Sequence, residues 1–270
     1  MFNNNLDELY FSQMALSVYQ NCPLRFRRRY LDGLFWPRDW AGDREQKELL
    51  ERGKLFHRLA CRYYSRGEVL TEGILAGELR KWFEDLRKFL PFNEEDDFYP
   101  EYELRINFNG IKLLAKFDLL YLRQSDNKLL IYDWKTNKKP FSKKVNYETL
   151  LQSRVYLYVL SEALQEYPSG ESLSPEELGL VYWNPRFPGD MEMVKYSQRK
   201  FERDKNFLRA LIQEIKTLSY EKFEGIDKDE VCRYCEYRPI CSGKKPELIE
   251  MEEEDADFEL DWETIDEIEF

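Results

Sequence analysis

The chain has 270 residues, 43% hydrophobic and 16% aromatic, with one histidine, five cysteines and a formal net charge of −11. That length allows one large domain or two small ones with a sizeable core. No apolar run approaches the roughly 18 residues of a membrane span, and the opening MFNNNLDELYFSQ lacks the basic-then-apolar pattern of a signal peptide, so a soluble, cytoplasmic protein is expected.

In chain order, residues 12–33 read as a helical pair broken near Cys22-Pro23. Residues 45–66 form a helix with Leu49, Leu50, Gly53, Phe56, His57 and Ala60 on one side and Gly67 as its stop. Another helix covers 74–90. Strands at 101–108 and 111–122 flank an Asn109-Gly110 hairpin signal, and a third at 128–135 follows the turn Ser125-Asp126-Asn127. A helix at 146–166, strands at 178–183 and 191–196 and a helix at 198–219 complete the body. This order implies an α/β domain with a mixed central sheet flanked by helices. A linker at 220–230 leads to a cysteine cluster, and 246–270 reads as a disordered tail.

The acidity is local. From Glu247 to Phe270 there are 13 Asp/Glu and no Lys or Arg, so the rest of the chain carries +2. That remainder holds two basic clusters, Arg25, Arg27, Arg28 and Arg29, then Lys135, Lys138, Lys139, Lys143 and Lys144. Such a body can bind phosphates, although the whole-chain pI of about 5 conceals it.

If the second hairpin is centred between Ser125 and Asp126, Asp118 faces Asp133 across the ladder, about 5 Å away. Alternation puts Lys135 on the face of Asp133 and turns Trp134 the other way. Two carboxylates that close repel unless a cation lies between them, and hard oxygen donors suit Mg²⁺ or Mn²⁺. Asp-x-Lys alone is a weak pattern, equally at home on a surface strand, and a slip of one residue in register removes the pairing. His57 is either a satisfied core residue or a neutral imidazole ligand. Gln152 and Tyr156, four apart on a helix, share one face.

Four stretches carry a resemblance: RGKLFHRLACRYY, LLAKFDLLYL, LLIYDWKTNKK and LQSRVYLYVL, in that order. Together they resemble the His, first-Asp, (D/E)-x-K and Gln-x-x-x-Tyr motifs of the RecB-like branch of the PD-(D/E)XK nucleases, over roughly residues 12–243. The proline that precedes the first Asp in the superfamily is absent here, where the sequence reads Lys116-Phe117-Asp118. The resemblance implies a restriction-endonuclease-like core at 45–220. It implies Mg²⁺ or Mn²⁺ held by His57, Asp118 and Asp133, Lys135 as the catalytic lysine, and Gln152 and Tyr156 contacting DNA or supporting the site. The implied activity is DNA hydrolysis, more exonucleolytic than endonucleolytic, on single-stranded or frayed ends, in repair, recombination or CRISPR adaptation.

Cys232-x-x-Cys235-x₅-Cys241 supplies three thiolates, and Cys22, in the N-terminal segment 1–44, is the better candidate for a fourth. By the same resemblance these ligate a [4Fe–4S] cluster that joins the N-terminal segment to residues 221–245; the spacing alone also permits Zn²⁺. Arg25, Arg28 and Arg29 would then border a DNA path or simply form a solvated helix face. Cys61 reads as a small buried apolar residue. The acidic, aromatic-dotted tail either solubilises, mimics DNA, or docks on a helicase or other repair partner. Two rivals remain: a DNA-binding scaffold subunit of a helicase–nuclease complex, with a vestigial site, and a zinc-stabilised RNA-processing nuclease.

Overall fold

The computed structural model describes residues 5–34, 44–67, 77–166 and 173–247. Five strands form one sheet in chain order: β1 Asp97–Phe108, β2 Ile111–Arg123, β3 Lys128–Trp134, β4 Leu178–Trp183 and β5 Met191–Lys195. All neighbours are antiparallel except β3 and β4, which run parallel and need a crossover between them. The turn Asn109-Gly110 takes positive φ at both residues, 49° and 77°, as a two-residue hairpin requires. The second hairpin pairs Leu119 with Tyr132 and Arg123 with Lys128, the expected register. Asp126 sits in its turn, 2.7 Å from Arg123 and 3.1 Å from Lys128.

Helices cover both faces. On one side lie α1 (Gln13–Asn21), α5 (Leu151–Glu166, the crossover) and α6 (Gln198–Thr217), burying Leu16, Val155, Val159 and Leu208 with Ile131 and Leu180 of the sheet. Ser12 and Ser197 cap α1 and α6 through their hydroxyls. On the other side α3 (Arg44–Arg66) and α4 (Gly77–Phe89) bury Phe56, Trp82 and Leu86 against Trp134 and Trp183. Here aromatic rings fill the layer: Phe89 stacks on Trp183 with centroids 4.7 Å apart, and Phe56 meets Trp82 edge-on at 5.9 Å. Being covered on both faces explains why β3 reads as an almost unbroken apolar run.

Several boundaries differ from the sequence reading. β1 starts at Asp97, four residues before the expected start, because it is an edge strand where Pro100 costs no ladder bond. The 146–166 helix divides at Leu150, whose ψ of 140° separates a short 3₁₀ turn at Tyr147–Thr149 from α5. The break at Cys22-Pro23 is present, followed by α2 (Pro23–Phe26) and a π-helical turn at Arg27–Leu31. The 220–230 linker contains a 3₁₀ turn at Tyr220–Lys222, ahead of α7 (Asp229–Cys232) and α8 (Arg238–Ser242). Of the tail expected at 246–270, Glu247 is tied down, 3.1 Å from Arg238, and residues 248–270 lie outside the described residues. Among the described residues no helix is long and apolar enough to cross a membrane.

Candidate active site

Lys135 follows the last residue of β3, its backbone N–H still donating to the Trp183 carbonyl of β4 at 2.8 Å. Its ammonium lies 2.8 Å from Asp133, with both side chains 6% exposed. Gln152, near the start of α5, holds both groups: its amide donates to Asp133 at 2.7 Å, and its carbonyl oxygen accepts from Lys135 at 3.3 Å. Tyr156, one turn along, packs edge-on against Phe117 at 5.0 Å. Burial, and then the Asp133 charge, push its hydroxyl pKa well above the usual value. Asp133, Lys135, Gln152 and Tyr156 therefore share one neighbourhood.

Asp118 is aimed differently from a regular strand residue. In β2, Ile111, Leu113, Ala115 and Phe117 face the α5 layer, whereas Leu119 and Tyr121 face the α3 layer. β1 changes face in the same place, since Leu104 and Ile106 pack with the α5 layer and Phe98 with the α3 layer. Between those segments stand Asp118 and, opposite it, Glu101, which has a positive φ of 50° that a non-glycine side chain rarely takes. Such a conformation costs of order 1–3 kcal/mol and is concentrated at functional positions.

The switch gathers three potential ligands. His57 Nδ1 of α3 is 3.1 Å from Asp118 Oδ1, while the Trp134 N–H donates to Asp118 Oδ2 at 2.6 Å. One donor atom from each of His57, Glu101 and Asp118 falls within 4.8 Å of the others. Burial, and then the Asp118 charge, raise the Glu101 pKa, though Lys116 at 3.0 Å acts against them. Burial also acts to raise the Asp118 pKa, but His57, the Trp134 N–H and Lys135 outweigh it and leave the value lowered. Two carboxylates and an imidazole this close suit a hard divalent cation, which would relieve the repulsion between the acids.

Against this geometry, the family model of the PD-(D/E)XK nuclease superfamily matches residues 10–242. The chain belongs to that superfamily. Its fold is similar to a crystal structure named "Putative exonuclease" from Eubacterium rectale, with a TM-score of 0.52 at 10% identity over 94% of this chain and 95% of that one. A solved structure of SSO0001 covers 74% of this chain at 18% identity, with a TM-score of 0.35 too low to carry an argument. None of the curated proteins matches.

In this PD-(D/E)XK chain the sequence reading missed Glu101. An isolated Glu in an edge strand gives no sign of it; only a search for acids opposite Asp118 in the first hairpin would have found it. It also missed the supports beneath Lys135. Arg186 donates to the Thr136 carbonyl at 2.8 Å and Asn184 to the Asn137 carbonyl at 3.0 Å, so the loop after β4 holds the loop after β3. Gly53, one turn before His57, lets α3 approach the same loop, because a Cβ there would lie 2.7 Å from Thr136 Oγ1. Alanine in a helix gains about 1 kcal/mol over glycine. The clash should outweigh that gain, so Gly53→Ala is expected to destabilise by about 1–2 kcal/mol net and to slow turnover. A melting curve decides it: a more stable variant would rule out the close approach.

The segments that carry Cys22, Cys232, Cys235 and Cys241 also come together. Cys235 feels Cys22 electrostatically, and burial, followed by Glu236, pushes its thiol pKa up to about 11. Arg28 reaches Cys241 Sγ at 2.9 Å, and the Leu24 N–H donates to the Glu224 carbonyl at 3.2 Å. Thus the C-terminal segment folds back on residues 22–34. Arg25 turns inward there, 2.9 Å from Glu236, which is itself 3% exposed. Arg27 covers the Tyr220 ring at 4.7 Å, Arg28 the Tyr237 ring at 5.6 Å and Arg29 the Tyr30 ring at 5.9 Å. Cys61 lies apart on α3, half-buried, where Glu101, Lys116 and Asp118 are its charged neighbours.

Proposed function

We propose that this nuclease-superfamily chain hydrolyses phosphodiester bonds in DNA with Mg²⁺ or Mn²⁺, acting on single-stranded or frayed ends and more as an exonuclease than an endonuclease. The observation that carries the reading is the Asp133–Lys135–Gln152 group on β3 and α5, with the His57–Glu101–Asp118 triad reached through β2. His57, Glu101 and Asp118 would hold the cation, while Asp133, held by Lys135 and Gln152, would stand beside them on β3. A bound divalent cation would make a nearby water more acidic and offset charge on the phosphoryl oxygens.

The chain's own groups do the rest. Lys135 presents a fixed ammonium to the negative charge that grows on the scissile phosphate. Gln152 fixes the direction of that ammonium and of the Asp133 carboxylate, so neither has to reorient during the reaction. Tyr156, packed on Phe117 one turn along α5 from Gln152, adds a buried ring and hydroxyl on the same helix face. End-labelled single- and double-stranded DNA and RNA should be incubated with Mn²⁺ and either wild type or Lys135→Ala. Metal-dependent shortening of labelled DNA by wild type alone is expected. A chain that leaves all substrates intact, or a variant as active as wild type, would end the hydrolytic reading.

Cys22, Cys232, Cys235 and Cys241 we assign to a [4Fe–4S] cluster, with Zn²⁺ the lesser alternative. The segments bearing them pack together although Cys22 and Cys232 are about 210 residues apart in sequence. None of the four is in a disulfide, so each sulfur can give up its proton to a metal. A cross-link closing so long a loop is worth up to about 5 kcal/mol. Cys22→Ser and Cys235→Ser are expected to lose absorbance near ~400 nm and to melt several degrees lower, whereas Cys61→Ser should keep both. Stoichiometric zinc without visible absorbance would select the alternative.

A further inference from the structure

We propose that Tyr99 and Tyr102 form a stacking platform for unpaired bases, and that the nucleic acid reaching this site is single-stranded where it passes the metal triad. The inference deepens the nuclease reading and rests on it for the direction of travel.

In a regular strand, residues 99 and 102 point to opposite faces. Here the left-handed Glu101 lies between them, and their rings meet at 5.6 Å. Both remain exposed, by 42% and 38%. An edge strand usually protects itself from stray pairing with charge. β1 does so farther along, where Glu103 and Arg105 pair at 2.8 Å, yet beside Glu101 it presents two aromatic faces.

The placement relative to the chemistry is fixed by the ladder. Tyr102 pairs with Phe117 and Tyr99 with Leu120, so the two residues lie on either side of the break in the ladder that holds Glu101 and Asp118. A base on either ring would put its phosphodiester within a nucleotide or two of the triad. Asp97 beside Tyr99 disfavours a phosphate there, which suits the pair to base faces rather than to backbone. On α3, the helix packed on β1, Arg58 and Arg62 lie exposed and one turn apart, which puts positive charge near the backbone's path. Bases locked in a duplex cannot offer their faces to such a pair, whereas any unpaired base can, whatever its identity.

The test measures binding of the full chain in EDTA, so that no cleavage intervenes, by anisotropy of a short labelled oligothymidylate and of a blunt duplex. Tyr99→Ala and Tyr102→Ala should each weaken single-strand binding by roughly ten-fold, the scale of one lost base stack. Tyr→Phe at either position should stay within about two-fold, because the ring is what matters. Tyr99→Leu and Tyr102→Leu keep apolar cover without a π face and should behave like alanine, which guards against a simple loss of folding. Duplex affinity should be unchanged throughout. Unaltered single-strand affinity in the alanine variants, an equal fall for duplex, or a wild type with no single-strand affinity overturns the platform. The two readings can fail separately. Aromatic-dependent binding without metal-dependent cleavage sinks hydrolysis and leaves the platform. Cleavage by wild type with tyrosine-independent binding does the reverse.

Discussion

Lys135→Met is expected to lower DNA cleavage by on the order of 10³-fold and to lower the melting temperature by about 10 °C. The two effects share one cause. The ammonium sits 2.8 Å from Asp133 in a place almost closed to water. Without it the carboxylate stays buried, still bonded to the Gln152 amide but deprived of this ammonium's charge. Breaking a buried pair from one side costs about 3–5 kcal/mol, because the surviving charge is uncompensated. The double variant Asp133→Asn/Lys135→Met removes both charges, so its melting temperature should return most of the way to wild type while cleavage stays absent. Calorimetry and a cleavage assay on the three variants test this together. If Lys135→Met melts like wild type, the pair is not the buried couple described above. If it cleaves like wild type, Lys135 has no part in the chemistry.

Mn²⁺ at about 100 times its dissociation constant should stabilise the wild-type chain by about 2.7 kcal/mol, and Glu101→Gln should abolish most of that increment. The metal-free variant should melt no lower than wild type, since Glu101 and Asp118 repel each other in the absence of a cation. Asp118→Asn should weaken Mn²⁺ binding by on the order of 100-fold or more, a larger loss than a supporting residue would give. Titration calorimetry with Mn²⁺ separates the ligand sets. Full affinity in Glu101→Gln with none in Asp133→Asn would return the site to the His57–Asp118–Asp133 set implied by family resemblance.

Much of the site was legible because it depends on local rules. The Asn109-Gly110 turn and the register of the second hairpin follow from turn chemistry and strand period, and the ladder bears that register out from Arg123 opposite Lys128 to Leu119 opposite Tyr132, one rung short of Asp118 and Asp133. That Gln152 and Tyr156 share a face of α5 follows from helical spacing, whereas their membership of the site was implied by the family resemblance. Glu101 could not be reached in that way. Counting residues assumes that a strand alternates faces regularly, and β1 and β2 both break that alternation at the rung that matters. The start of β1 at Asp97 escaped for a related reason: Pro100 argues against a strand unless the strand is known to be an edge, and only the assembled sheet says which strand is outermost.

The sequence by itself determined the α/β class, the family, the Asp-x-Lys strand and the cysteine spacing, because each is written in periodicities and short separations along one segment. Tertiary structure decided which carboxylate joins His57 and Asp118, turned Arg25 inward to Glu236, and set Tyr99 beside Tyr102. Those outcomes depend on groups far apart in the chain, or on a backbone twist that no local preference favours. Packing and charge pairing in the folded core select them, and residue order alone does not.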